Sequence, residues 1–318
     1  MTSQRIFITG ASGCIGHYLV ETLIQTTDHE LFLLMRTPAK LQVDCTQREG
    51  IHVLQGDLHH IEQFSDILAT IDTAILTATA WGDPTETYEI NVNKTLTLMG
   101  LLDPERCQQV IYFSTASILN RANQPLPEAK TLGTDYVRTK YICHERLQEL
   151  AIAPKITTVF PTLVFGGDGQ KPYSHLSGGL GDVLKWMKLI RFFRVDGSFH
   201  FVHAQDIADV VTHLVDHPPG SEDSRELVLG SAAVHVNQAI RDICRYLRIP
   251  ILLQIPLFLQ LSNVIIVLFR IQMEEWDRFC LTYRHFSYQD PVSPATFGKV
   301  PHCATVDELM KVSGVSRS

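Results

Sequence analysis

The stretch Arg5–Met35, RIFITGASGCIGHYLVETLIQTTDHELFLLM, constrains this chain more than any other. An apolar run, Ile6–Ile8, enters a turn of Thr9, Gly10, Ala11, Ser12, Gly13, Cys14, Ile15 and Gly16. A helical pattern follows from Ile15 to Gln25, then a second apolar run at Leu31–Met35. Strand, glycine turn, helix and strand in that order make a βαβ unit of the size that holds a dinucleotide. Gly10 permits backbone angles that a side chain forbids. Gly13 lets the backbone approach a pyrophosphate, and Gly16 lets the helix pack closely on the strand. The helix N-terminus offers unpaired N–H groups and partial positive charge to phosphates. The plainer alternative is a glycine turn of an α/β fold with no ligand.

With 318 residues the chain is long enough for a large core and a smaller second lobe. A net charge of −7 argues against a nucleic-acid partner. The seven cysteines are scattered without a CxxC pair, so neither a metal site nor a disulfide framework is indicated. Scattered thiols suit a reducing compartment, and a strand at the very start leaves no room for a signal peptide, so the cytoplasm is expected.

The second apolar run ends in Met35-Arg36, with Lys40 close by. An NAD site commonly places an acid here for the ribose 2′-hydroxyl. A guanidinium suits a 2′-phosphate instead, so NADP is expected, with NAD kept open and a plain surface arginine as the alternative. A third strand, Ile51–Leu54, runs into Gly56-Asp57-Leu58, where Asp57 either accepts from the adenine amino group or caps the next helix. A fourth strand, Thr73–Thr77, ends in Ala78-Thr79-Ala80, small residues across which a cofactor can lie. Asn91 heads a helical segment over 90–102, and the fifth strand, Val110–Phe113, leads into Ser114-Thr115. Strands and helices alternating without a repeat predict an α/β, Rossmann-type doubly wound parallel sheet.

Tyr136 and Lys140 stand four apart in a segment, 134–150, that reads as a helix, so both lie on one face. An ammonium near a phenol lowers the phenol pKa. Such a tyrosine can give or take a proton at a carbonyl or alcohol. A hydroxyl from Thr115 or Ser114 could bond the same oxygen. The spacing alone is common on solvated helices; its position after the fifth strand gives it force.

The order TGASGCIG (9–16), GDL (56–58), YEINVNKT (88–95), FSTAS (113–117), YVRTK (136–140), PTLVFG (161–166) and FHFVHAQDIADV (199–210) resembles the extended short-chain dehydrogenase/reductase family over about the first two thirds of the chain. The resemblance implies that Gly10, Gly13 and Gly16 hold the pyrophosphate and Asp57 faces the adenine. It implies a structural or relay role for Asn91 and places Thr115 at the catalytic Ser/Thr position. Tyr136 would be the acid/base, with Lys140 binding the nicotinamide ribose and depressing the tyrosine pKa. Pro161 and Thr162 would lie beside the nicotinamide. Leu119-Asn120 stand where the family often has Tyr-Gly, and Phe160 where it often has Arg. Ala116-Ser117 replace the Asp-Glu of sugar 4,6-dehydratases, which argues against that branch.

Beyond Gly166 the glycine-rich pieces 166–169 and 177–181 read as flexible loops and 182–193 as a helix of a substrate lobe. His203 and Asp206 read as structural. The uncharged run 249–269 lies between Arg248 and Arg270 and contains Pro250, Pro256, Gln254, Gln260, Ser262 and Asn263. Its length nears a membrane span, but the prolines and polar residues disfavour a clean one. A pocket-lining helix pair, an interfacial membrane contact and a span are weighed in that order. This tail is similar to that of 3-beta-hydroxysteroid dehydrogenase-like members, which act on apolar substrates. The expected partition is a cofactor domain, 1–165 with 199–230 returning to the sheet, and a smaller, mostly helical substrate lobe, 166–198 with 231–318. The expected activity is NAD(P)-dependent hydride transfer to or from an apolar alcohol or ketone, in a protein for which homodimerisation stays open. A nucleotide-sugar epimerase and a non-catalytic cofactor sensor or assembly factor are the alternatives.

Overall fold

Strand β1 (Arg5–Thr9) sits inside a parallel sheet of seven strands. The computed structural model describes residues 3–220, 223–258 and 272–317. After β1 come β2 (Glu30–Met35), β3 (Ile51–Gln55), β4 (Thr73–Leu76), β5 (Gln109–Phe113), β6 (Ile156–Pro161) and a seventh strand, Glu226–Leu229. Their order across the sheet is seventh, β6, β5, β4, β1, β2, β3, and every pairing is parallel. The chain winds outward from β1 to β3, then returns to β4 on the other flank of β1. The β1/β4 junction is therefore the topological switch point, the crevice in which open α/β sheets bind ligands.

Period-two alternation along β1 sends its side chains to two cores. Ile6 and Ile8 join Leu19, Leu23, Ile207 and Val211 beneath the helices Cys14–Thr26 and Ala204–Asp216. Phe7 joins Ile61, Leu98, Met99 and Cys143 on the opposite face. Strands buried on both faces read as continuous apolar runs, which is why β1, β2 and β5 stand out in the sequence.

Three expectations are redrawn. The segment 177–181 is helical, within His175–Lys185, because Ser174 caps the helix N-terminus and accepts from Ser177 N–H, while Leu180 and Leu184 pack inward. The 90–102 helix begins earlier, at Pro84, with Asp83 as its cap, and Asn91 falls in a π-type turn, Glu89–Lys94. The helix carrying Tyr136 and Lys140 runs Asp135–Arg146 and tightens into a 3₁₀ turn, Leu147–Glu149. Of the run 249–269, residues 249–258 include no helix, Ile255–Pro256 pairing with Phe193–Arg194, and 259–269 lie outside the described residues. Among the described residues no helix is long and apolar enough to cross a membrane.

Candidate active site

The glycine turn lies at the switch point. Gly10 has φ +73°, and a Cβ there would stand 2.5 Å from Thr77 Oγ1 and 2.7 Å from Ala78 N, so β1 and the end of β4 meet too closely for a side chain. A Cβ on Gly16 would lie 2.1 Å from Gly10 O, so the helix seats directly on the turn. Gly13 is the N-cap, with no side-chain cap bond and no acid in the first turn. A Cβ there would approach only Gly10 O, at 3.3 Å, which leaves its outer side open. An uncapped helix start beside an open glycine fits a pyrophosphate. Ala11 is buried, Gly13 exposed, Ser12 half-buried, and Cys14 and Ile15 half-buried in the first turn.

Asp57 caps the turn Leu58–Phe64, its carboxylate accepting from His59 N–H at 3.0 Å, and it also lies 4.0 Å from Arg36 Nε. Of its two sequence readings the structure displays the capping bond. Arg36 is strongly exposed at the C-terminal end of β2. Ala78 and Thr79 follow β4 on the switch-point side of the sheet.

Asn91 is fully buried and bonded through both ends of its amide. Its Oδ1 accepts from Thr79 Oγ1 (2.9 Å) and Ala80 N (2.8 Å), while Nδ2 donates to Ala80 O (3.1 Å) and Thr139 Oγ1 (3.1 Å). Asn91 thus ties the end of β4 to the helix of Tyr136 and Lys140.

Lys140 is buried, and its Nζ donates to Phe113 O at 2.7 Å, linking the helix to the end of β5. Burial pushes its pKa down to about 8. Tyr136 differs from expectation: burial pushes its phenol up to about 12, and the Thr115 hydroxyl, which favours the phenolate, acts against this. The ammonium expected to lower the phenol pKa is directed at the Phe113 carbonyl, so desolvation outweighs it. Tyr136 is a protonated phenol at neutral pH. Thr115 also caps the short turn Ala116–Ile118, and Ser114 Oγ is buried without a hydrogen-bond partner in the structure. Pro161 ends β6, and Thr162 is committed to the sheet, its hydroxyl donating to Leu229 O at 2.9 Å.

The structure therefore brings Thr115, Tyr136, Lys140 and Asn91 into one cluster at the ends of β4 and β5. Two neighbours were absent from the sequence reading. Trp81 stacks on Tyr136 with centroids 3.6 Å apart and planes 14° apart, and is half exposed. His175, at the start of the helix His175–Lys185, lies 5.1 Å from the indole. An aromatic residue immediately after the small residues Ala78-Thr79-Ala80 was the available signal. Behind Tyr136 lies an apolar cluster of Phe160, Trp276, Phe279, Tyr283 and Tyr288, which joins the C-terminal part of the chain to the site. His203 caps the helix Ala204–Asp216, and Asp206 accepts backbone N–H groups from His302 and Cys303, so both serve the fold.

Residues 6–230 match the model of the NAD dependent epimerase/dehydratase family. A curated relative, the 4-hydroxy-2-methyl-3-oxo-4-farnesyl-3,4-dihydroquinoline-1-oxide ketoreductase of Stigmatella aurantiaca, is 26% identical over 235 residues, covering 69% of this chain and 66% of that protein. The 2-alkyl-3-oxoalkanoate reductase of Stenotrophomonas maltophilia (strain K279a) is 26% identical over 181 residues, 52% of this chain and 53% of that one. The matches thus span less than two thirds of either relative. Among solved structures, the Bordetella bronchiseptica enzyme WbmG in complex with NAD and UDP shares the fold, at 14% identity and TM-score 0.64 over 98% of this chain and 94% of that one. With the model matching most of the chain, the protein belongs to the NAD-dependent epimerase/dehydratase family, of the extended short-chain dehydrogenase/reductase type.

Proposed function

We propose that this chain is a ketoreductase that uses NADP and reduces an apolar ketone to an alcohol. One observation carries the reading: Tyr136, a protonated phenol, sits beside Thr115 on the helix of Lys140, at the sheet end next to the glycine turn. A bound reduced nicotinamide supplies the hydride. The Thr115 hydroxyl orients the substrate carbonyl. The Tyr136 O–H bond breaks as its proton passes to the carbonyl oxygen, the Thr115 hydroxyl favours the phenolate left behind, and Lys140 holds the tyrosine's helix to the end of β5. The aromatic cluster of Phe160, Trp276, Phe279 and Tyr283 supports an apolar substrate, contributed in part by a lobe of residues 166–198 and 231–318. Both curated relatives are named as reductases of oxo compounds with apolar chains, which agrees with this reading. Exposed Arg36 supports NADP through its match to a 2′-phosphate.

The test is consumption of NADPH and NADH with long-chain 3-oxo acids and alkylated bicyclic ketones. The reading requires substrate-dependent loss of reduced-cofactor absorbance, faster with NADPH. Turnover of a nucleotide sugar without net cofactor consumption would favour an epimerase instead.

A further inference from the structure

We propose that the face formed by residues 183–194 and 245–258 docks on an anionic phospholipid surface. The two segments form one surface. Arg191 Nη1 donates to Pro250 O at 2.6 Å, Ile255 N to Phe192 O at 2.7 Å and Leu257 N to Arg194 O at 2.8 Å. Met187, buried among Ile240, Cys244, Ile249 and Ile251, fastens them from beneath. Large apolar side chains on this face point to water: Leu252 is 83% exposed, Leu253 67%, Trp186 63% and Leu189 51%. Concentrated exposed apolar surface marks an interaction site.

Its charge names the occupant. Lys185, Lys188, Arg191, Arg194, Arg245 and Arg248 lie in these segments, which contain no Asp or Glu, although the whole chain has a net charge of −7. Lys185 and Arg245 pair with Asp182 and Asp242. Among the described residues, none of the ion pairs includes the other four. Arg248 adds an independent mark. It takes φ +55° just past the helix Val236–Tyr246, where the Ile249 N–H bonds back to Cys244 O. Glycine is the usual residue at such a position, and an arginine there accepts backbone strain while keeping an exposed side chain just before the apolar run 249–253. Beside it a crevice of about 230 Å³ is lined by Arg245, Tyr246, Arg248, Asp307 and Arg317, three guanidiniums against one carboxylate.

Apolar residues ringed by basic ones fit the boundary between acyl chains and anionic headgroups. A second copy fits poorly, because a two-fold contact sets the same basic residues against themselves. The face also connects to the candidate active site. The helix His175–Lys185 starts against Trp81 and ends at this patch, a rise of about 16 Å.

The test is flotation of the full chain with vesicles of phosphatidylglycerol and phosphatidylcholine, against phosphatidylcholine alone. The protein should float only with the anionic vesicles, and less so as salt rises. Trp186 emission should shift to the blue on binding, a shift absent in Trp186→Phe. Leu252→Asp/Leu253→Asp should reduce the bound fraction about tenfold. Lys188→Glu/Arg194→Glu/Arg248→Glu, confined to exposed side chains, should do the same with an unchanged circular dichroism spectrum. No flotation of the wild type, equal flotation on both vesicle types, or a dimer that Leu252→Asp/Leu253→Asp converts to monomer would each overturn the proposal.

Discussion

The two sides of the candidate site are held by opposite means. On the sheet side, Asn91 and Lys140 are buried polar groups whose bonds run to Ala80, Thr139 and the Phe113 carbonyl. On the outer side, Trp81 and His175 are held by ring contacts and stay largely open to solvent. Buried polar groups tolerate no loss, because an abandoned partner keeps its desolvation cost. A stacked, half-exposed ring can move at little cost. On the proposed function, the contrast would give a fixed frame for proton transfer and an adjustable cover for the substrate.

The largest effect that tests the frame is on turnover. Tyr136→Phe removes the proposed proton donor but keeps the ring under Trp81, and kcat should fall by about 10²–10⁴ with the unfolding temperature nearly unchanged. A variant retaining most of its activity would break the assignment.

Lys140 comes next. Its folded pKa, about 8, lies below the ordinary 10.5. The ammonium is therefore present below pH 8 and lost above it, so reduction should slow as the pH rises through about 8. Lys140→Met should cost roughly a hundredfold in kcat and remove that limb of the pH profile. The sign for stability is opposite. The buried charge destabilises the fold fully below pH 8, and that cost fades between 8 and 10.5. At pH 7 Lys140→Met should thus gain about 1–2 kcal/mol, the relief of desolvation less the lost bond to Phe113. Urea unfolding of the two proteins measures this, and a net loss would mean that the amine stabilises the fold.

Asn91→Ala should lower stability by about 3 kcal/mol, since it strands Thr79, Ala80 and Thr139 together. Asp at the same position keeps the acceptor side and should recover part of the loss. On the outer side, Trp81→Ala should raise KM several-fold and leave kcat within about threefold, while Trp81→Phe restores KM. If Trp81→Ala lowered kcat as severely as Tyr136→Phe, the division into frame and cover would fail.

How much of this was legible beforehand follows the same line. The β1 turn was readable because its glycines fall between a strand and a helix within one βαβ unit; Gly16 meets the Gly10 and Ala11 backbone inside that unit, while the contact of Gly10 with the end of β4 lies outside it. The Tyr136–Lys140 face was readable because helical spacing is local. The direction of the Tyr136 pKa was not, because it depends on how deeply the ring is buried and on where the Lys140 ammonium points. Trp81 escaped for a similar reason: its neighbours Tyr136 and His175 are remote in sequence, and no period links them. The helix at 177–181 was concealed by its glycines, and tertiary packing of Leu180 and Leu184 overrides their weak propensity.

On the proposed function, reduction is net and its proton comes from Tyr136. The most direct measurement follows deuterium from reduced cofactor labelled at the nicotinamide C4 during turnover of a long-chain 3-oxo acid. Stoichiometric cofactor oxidation is expected, with deuterium on the new carbinol carbon of the product. Turnover that leaves the cofactor unoxidised and the product free of label would contradict it.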